Sequence, residues 1–541
     1  MKYAGLLFFS LLFILSIVMS CSEKTNNQQN SDRPAGYGTL ACSIVDNETG
    51  EPIPARVYAR GSDDSLYAAV ECIEYERPNF GPRVGYTGRH FTTIGNTFTV
   101  YLPEGNAVII IERGKEYIPL EENVVIKPGE KITWTYKLKR WISMADKGWY
   151  SGDTHVHRTL GELAGLLQAE DLNVAIPQTV WGNHREPDLD SWINKADRFG
   201  AISVDNHHVF SVLSHEIERF DAGAVLMHFT GKTEFKTSDF DDRSPTNLSL
   251  IEQTHNAGGY CDLEKPMWPE SHIDVAVGKA DFIGLCNNHM LYKSYLPEHP
   301  RLRTEFKSDY SDGVKGYVDY VLDLYYAYLN CGFKVMPSAG SASGVLPNPL
   351  GYNRVYVKNN GEFSYEKWFE GLKAGRCFAT NGPMLFVTVD DRLPGETITV
   401  DTAKNNVYVS CEVYSANPIE RLDIIRDGEV VFSVKPKLID YSANIGIDIP
   451  FTESCWITVR CFEEVDDNVR FARSAPVFVN VQNKPFIPKE YAALYFFSKT
   501  EELIKAAETD DFKTPEARKA TMEVYKQAKM IYSDLLKKAE K

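Results

Sequence analysis

The 541-residue chain contains no GxGxxG turn, no P-loop and no GxSxG elbow. Those backbone cradles serve dinucleotides, nucleoside triphosphates and serine-hydrolase chemistry, so all three lose their foothold. There is no Cys-x-x-Cys pair either, which removes the usual zinc-ribbon and dithiol redox sites. Beyond Cys21, nine cysteines are scattered at positions 42, 72, 261, 286, 331, 377, 411, 455 and 461, and they read as buried small hydrophobes. Cys455 and Cys461 face each other only if their strands bend suitably. Positive charge is in short supply: 58 Lys and Arg against 74 Asp and Glu leave a net charge of -16, and no basic stripe with interleaved aromatics offsets it. Phosphate backbones are repelled, so no nucleic-acid partner is expected. No period of roughly 20 to 50 residues recurs, which excludes a solenoid or propeller.

What the chain does have is 43% hydrophobic and 12% aromatic residues, enough to bury several cores. It opens with Lys2 and an apolar run over residues 5–19 that ends Val18-Met19-Ser20-Cys21. This resembles a bacterial lipoprotein signal, which implies cleavage before Cys21 and acylation of that cysteine. A plain secretory signal is the rival reading. The run is shorter than the ~20 residues of a spanning helix. The polar stretch that follows suits a flexible tether. The expectation is therefore a signal peptide at 1–20, a tether at 21–36, and a cell-envelope protein held at the membrane by an N-terminal lipid anchor.

Residues 37–141 carry short β-rich runs (42–45, 55–59, 97–102 and 107–111) broken by turns, and predict a β-sandwich. The stretch from Asp46 to Val57 resembles carboxypeptidase regulatory-like modules. From 147 to 384 short apolar strands such as 173–177 alternate with amphipathic helical stretches such as 191–199 and 314–329, a texture that predicts an α/β barrel. Residues 385–482 return to strands, with an Arg426-Asp427-Gly428-Glu429 turn, and predict a second β-sandwich. Two helices, at 491–508 and 514–538, predict a helical tail over 488–541.

Eleven of the twelve histidines fall between His155 and His299, where even spreading would place about three. The sharpest element is Trp149-Tyr150-Ser151-Gly152-Asp153-Thr154-His155-Val156-His157. On an extended backbone, residues two apart point to the same side, so His155 and His157 can share one metal. Imidazole ligates zinc, iron and manganese, and carboxylates must complete such a site; Asp153 and Glu162 are near in sequence. His184, His207 and His208 titrate near neutrality and are candidate acids or bases. His228 sits in an apolar run, as a core residue or a ligand. Arg354 offers a fork for an anion or a salt bridge within the barrel. Lys265 is either a surface lysine or a group that holds an anionic substrate or acts as a base.

The segment 148–157 resembles the polymerase and histidinol phosphatase (PHP) superfamily, in its CehA/McbA-type metallohydrolase branch. So do Glu264-Lys265-Pro266-Met267-Trp268-Pro269, Asn287-Asn288-His289-Met290, the Gly/Ser-rich stretch 339–344, and Trp368 through Asn381-Gly382-Pro383. The resemblance covers roughly 147–384. It implies a distorted β/α barrel with metal at the carboxyl ends of its strands and hydrolysis of ester-like bonds by metal-activated water. Carried over residue by residue, His155, His157 and Glu216 are the metal ligands. The chain departs from the family pattern where a Thr-Asp-His turn is missing, where Lys265-Pro266 stands for His-Pro, and where Ser341-Ala342-Ser343 stands for Asp-x-His. Those losses leave a single divalent ion (zinc, manganese or iron) with His289 completing its site, and Lys265, His184, His208 and Arg354 in catalytic or substrate-positioning roles. The readings carried forward are a metal-dependent hydrolase of a small-molecule or oligosaccharide substrate, a carbohydrate lyase or dehydratase using the same site, and a non-catalytic glycan- or protein-binding lipoprotein.

Overall fold

A computed structural model describes residues 35–74, 90–182, 184–219, 222–231, 242–292, 294–296, 306–465 and 468–540. The apolar leader, Cys21, tether residues 21–34 and His299 lie outside them. The chain is a mixed α/β protein, richer in strand than in helix, with several sheets and a C-terminal helical region. No described helix is long and apolar enough to cross a membrane.

Alternation sets up the first layer. Strand Tyr37–Asp46 sends Leu40, Cys42 and Ile44 inward, and pairs antiparallel with Thr97–Pro103 and parallel with Lys131–Leu138. The facing sheet runs Cys72–Glu74, Phe91–Thr93, Arg56–Arg60, Gly105–Glu112, Leu120–Ile126. Their inner faces share a core that includes Leu40, Ile44, Val57, Phe98, Val100 and Ile109.

In the middle region, Trp149–Val156, Val174–Pro177, Gly223–His228, Phe282–Cys286 and Met336–Ala339 are buried at every residue, as strands covered on both faces must be. They divide between two sheets. One passes from Ala201–Ser203 through Val209–Ser211, Val174–Pro177, Trp149–Val156 and Arg354–Lys358 to Cys377–Thr380. The other runs His184–Arg185, Val180–Trp181, Ser214–Arg219, Gly223–His228, Tyr260–Leu263, Phe282–Cys286, Met336–Ala339. Among the described residues no ladder closes them into one barrel; an isolated bridge from Val156 to Ser343 marks where they approach. The helix expected at 191–199 spans Leu189–Lys195 and stops early. The Asp197 carboxylate takes the backbone N–H groups of Phe199 and Ala201, and Gly200 has φ +72°, so turn chemistry replaces the next helical turn.

The first sheet does not end with the middle region. Cys377–Thr380 pairs with Phe471–Ser474, and the ladder runs on through Cys455–Glu463, Ile419–Arg426 and Glu429–Val434. A separate sheet of Met384–Val389, Asn406–Tyr414 and Ser442–Pro450 covers it, around Val387, Val409, Leu422, Val459 and Cys461. The hairpin at Asp427-Gly428 has positive φ at both residues, 51° and 88°, the geometry that matches strand twist and that glycine adopts without strain. Cys455 and Cys461 lie along one strand, about 20 Å apart at 3.3 Å per residue, and cannot pair. All nine described cysteines are free.

Helices Glu490–Thr509 and Pro515–Ala539 pack together and onto the middle region. The second is capped by the Thr514 hydroxyl, which accepts from the Ala517 N–H, with Pro515 in the first turn. Phe496 stacks on Tyr328 at 4.4 Å, and the Tyr525 hydroxyl donates to Glu270 at 2.7 Å.

Candidate metal centre

The buried side chains of Ser151, Asp153, Thr154 and His155 on the strand Trp149–Val156 each have a hydrogen-bond partner, which is what permits their burial. Asn173 Oδ1 accepts from the N–H of Ser151 and stands 3.1 Å from its hydroxyl, and the Thr154 hydroxyl stands 3.1 Å from both Asp262 and the Ala339 carbonyl. Asp153 accepts N–H bonds from His155 (3.1 Å), Ser341 (3.0 Å) and Gly351 (2.8 Å), and the Ser341 hydroxyl as well. Burial pushes the Asp153 carboxyl up to about 6 against the pull of those donors. The Ala339-Gly340 turn passes so close that a Cβ on Gly340 would stand 2.4 Å from that of His155, and only glycine fits there.

His155 is the penultimate residue of this strand and His157 follows it, and their Nε2 atoms stand 2.9 Å apart. Glu216, from Ser214–Arg219, brings Oε2 to 3.2 Å from the first and 3.1 Å from the second. His155 and Glu216 are each about 2% exposed. Ligand atoms roughly 2.1 Å from one ion stand about 3.0 Å apart at right angles, so the triangle has the dimensions of a shared coordination sphere. This group could hold a metal ion, and it is the one such group found among the described residues.

Glu264, just past Tyr260–Leu263, places Oε1 3.2 Å from His155 Nδ1. That carboxylate favours the proton on Nδ1 and turns the Nε2 lone pair toward Glu216 and His157. Burial alone would depress the His155 imidazole; Glu216 and Glu264 outweigh it and, with no ion bound, lift it to about 10. Burial likewise opposes ionisation of Glu216, but His155 and His157 hold it well below the usual carboxylate range. His157 is lowered by burial and packs against Trp181, ring centres 4.5 Å apart and planes tilted by 53°. Once the Nε2 proton on His155 is displaced, three donor atoms converge in a buried site, which is the donor chemistry a divalent cation satisfies.

The other expected residues take different places. Lys265 Nζ is paired with Glu264 and lies 3.7 Å from the Trp268 ring centre, so it borders the group through Glu264 and is already engaged. His184 is exposed, opposite Trp181 on a short hairpin, and no described contact joins it to the three ligand atoms. His289 lies beyond Phe282–Cys286 and stacks on Tyr317, while the N–H of its neighbour Asn288 reaches Glu264; His289 is not one of the three residues whose ligand atoms converge. His208 sits at the opposite, amino-terminal end of Val209–Ser211, paired with Asp205 at 2.8 Å. Arg354 is fully buried and donates to the carbonyls of Gly351, Asp171 and Glu170, capping the chain after helix Leu163–Ala169 in place of an anion. His228 is a core residue near Ser214 and Asp262. Glu264 is the group sequence reasoning passed over: it follows a short buried strand at the same carboxyl-terminal edge as His155, a signal that the unusual Lys265 beside it obscured.

No family model and no curated protein matches the chain. Among solved structures it is similar to GBS52, the minor pilin of Streptococcus agalactiae, at 17% identity over 20% of this chain and 46% of that one, with a TM-score of 0.15. It is also similar to the Bacillus anthracis TIE protein, at 8% identity over 83% of this chain and 51% of that one, with a TM-score of 0.14. The chain thus spans about half the length of each, and neither TM-score reaches the range of a shared fold.

Proposed function

We propose that this chain is an envelope-anchored, metal-dependent hydrolase of the PHP type with a PHP-like barrel at its centre, acting on an ester-like or carbohydrate-derived substrate. The observation that carries the reading is the buried triangle of His155 Nε2, His157 Nε2 and Glu216 Oε2, with sides of 2.9 to 3.2 Å. Two imidazoles and one carboxylate suit zinc, manganese or iron, and one triangle implies one ion. Such an ion, when bound, supplies Lewis acidity toward a carbonyl or phosphoryl oxygen and toward water. The chain's own part is to orient His155 through Glu264, to keep Glu264 ionised beside Lys265, and to shield the group behind Trp181. His184, exposed across the hairpin from Trp181, is the candidate group for meeting substrate.

The lyase reading draws on Lys265 as a base, and the ion pair with Glu264 counts against it. Metal analysis of the purified protein tests the main reading. It expects about one divalent ion per chain, lost in the His155→Ala plus His157→Ala variant along with turnover of phosphoesters or acidic oligosaccharide esters. A full-length preparation that takes up no zinc, manganese or iron would leave the non-catalytic binding reading in its place.

A further inference from the structure

Strand Lys131–Leu138 turns Ile132, Trp134, Tyr136 and Leu138 to the inner face of the N-terminal sandwich, because residues two apart share a side. Tyr136 and Leu138 are buried in the core there, and Ile132 packs against it. Trp134, beside Cys42 across the ladder, faces the same way and is nevertheless 58% exposed. The cause is the shape of the sandwich edge. Lys131–Leu138 ends one sheet and Leu120–Ile126 ends the other. The two sheets meet at one end, where a Cβ on Gly38 would stand 2.7 Å from the Ile126 side chain. Further along they part and leave a cavity of about 270 Å³, lined by Leu40, Glu122, Val124, Ile132, Trp134 and Tyr136.

This lining is more than an unfilled piece of core. Glu122 shares the inner side of its strand with Leu120, Val124 and Ile126, and pairs across the ladder with the core residue Ile109. Burial, the Cys42 sulfur and Glu122, in that order, raise the Tyr136 phenol above its ordinary range, in keeping with a carboxylate on the inner side. Asn123 and Val125 complete the lining. An open indole face covers the C–H side of a sugar ring, while carboxylate and amide oxygens accept protons from its hydroxyls. Backbone groups that an edge strand leaves without a ladder partner can serve the same hydroxyls. None of the lining residues is Lys or Arg, so nothing there compensates Glu122 toward an anionic ligand. An added peptide strand is disfavoured as well. Inward-facing Glu122, with Lys131 and Lys137 on the facing edge, supplies the charges that keep edge strands from pairing.

We propose that this cleft binds a neutral saccharide, with one sugar ring of a glycan chain stacked on Trp134 and its hydroxyls on Glu122 and Asn123. The N-terminal sandwich then holds glycan independently of the metal centre in the middle region.

The test uses the full chain and isothermal titration calorimetry. Among neutral hexasaccharides with xylan, cellulose, mannan, starch and β-galactan backbones, at least one should bind with a Kd of roughly 10 μM to 1 mM. Trp134→Ala should weaken that binding at least about tenfold, and Glu122→Gln about tenfold. Both side chains are exposed, so neither substitution opens the core, and the circular dichroism spectrum should stay unchanged. Hexagalacturonate should bind about tenfold more weakly than the best neutral hexasaccharide. Binding should persist in the His155→Ala plus His157→Ala variant, which separates this site from the metal reading. Failure of every neutral hexasaccharide to bind, or binding unchanged in Trp134→Ala or in Glu122→Gln, would overturn the proposal. So would a preference for hexagalacturonate or for phosphatidylglycerol vesicles.

Discussion

Glu264 meets two needs at once, orienting His155 through Nδ1 and balancing the buried charge of Lys265. The two roles separate by substitution. Glu264→Gln keeps the shape but loses the carboxylate, so affinity for the ion should fall about 10- to 100-fold, read by competition with a chelator. It should also cost on the order of 3–5 kcal/mol in urea unfolding, because Lys265 is left buried and unpaired. Adding Lys265→Met should recover most of that stability without recovering affinity. If affinity returns with stability, Glu264 acts only as a counter-charge. At this scale spacing and type made His155 and His157 legible, because a two-residue repeat on a strand leaves no other common side. Glu216 was reachable only through resemblance, since it comes from a strand 61 residues after His155 and nothing local marks it. The histidine enrichment overstated the case: His215 packs on Phe229, His255 pairs with Asp281, and His272 lies under the tail.

The element that holds the centre in register is the stretch 339–351, fastened to Trp149–Val156 by the Asp153 carboxylate, by the Thr154 hydroxyl on the Ala339 carbonyl, and by the Ala342 N–H on the His155 carbonyl. Asp153 receives donors from both segments, and Gly340 lets them approach. Asp153→Asn would turn an amide N–H toward at least one backbone N–H that can only donate, that of Gly351 or those of His155 and Ser341. The expected cost is about 2–4 kcal/mol, measured as a lower urea midpoint at unchanged slope, with weakened ion binding as the stretch shifts. An unchanged midpoint would mean that the backbone and Thr154 hydrogen bonds hold the strand and the stretch together without the carboxylate. Element types were legible wherever periodicity ran long, as in Gly313–Asn330 and the two tail helices. Sheet membership was not. The pairing of Thr380 with Ala472, which carries one sheet from the middle region into the C-terminal one, joins residues far apart in the chain and leaves no local mark.

Across the whole molecule, charge and aromatic contacts fasten the outer regions to the middle one. Arg56 reaches Glu170 at 2.6 Å, Arg113 reaches Asp171 at 3.0 Å, and Arg140 bridges Asp171 and Glu116, locking the N-terminal sandwich in place. At the other end the tail helices close over His272, whose ring lies parallel to Phe496 at 6.0 Å while its carbonyl accepts the Tyr532 hydroxyl at 2.6 Å. Its Nε2 has no hydrogen-bond partner among the described residues. Burial, helped by the Lys499 cation on the tail, lowers this imidazole to about 3. The folded chain therefore keeps the ring neutral while the unfolded chain, or one with its tail released, protonates it near 6.5. Stability from this site is complete above about pH 6.5 and declines as pH falls toward 3, by about 1.4 kcal/mol per unit, or roughly 2 kcal/mol at pH 5. Replacing the ring by one that cannot titrate, His272→Phe, should remove that share. The difference in unfolding free energy between pH 7 and pH 5 should then shrink by about 2 kcal/mol relative to the unaltered chain. Protease cleavage in the linker between the two tail helices should likewise lose its acceleration at pH 5. Identical pH dependence in the two proteins would show that His272 already holds its proton under the docked tail, and that the acid response of this interface belongs to other groups, with the buried carboxylates Glu270 and Asp274 the first to examine.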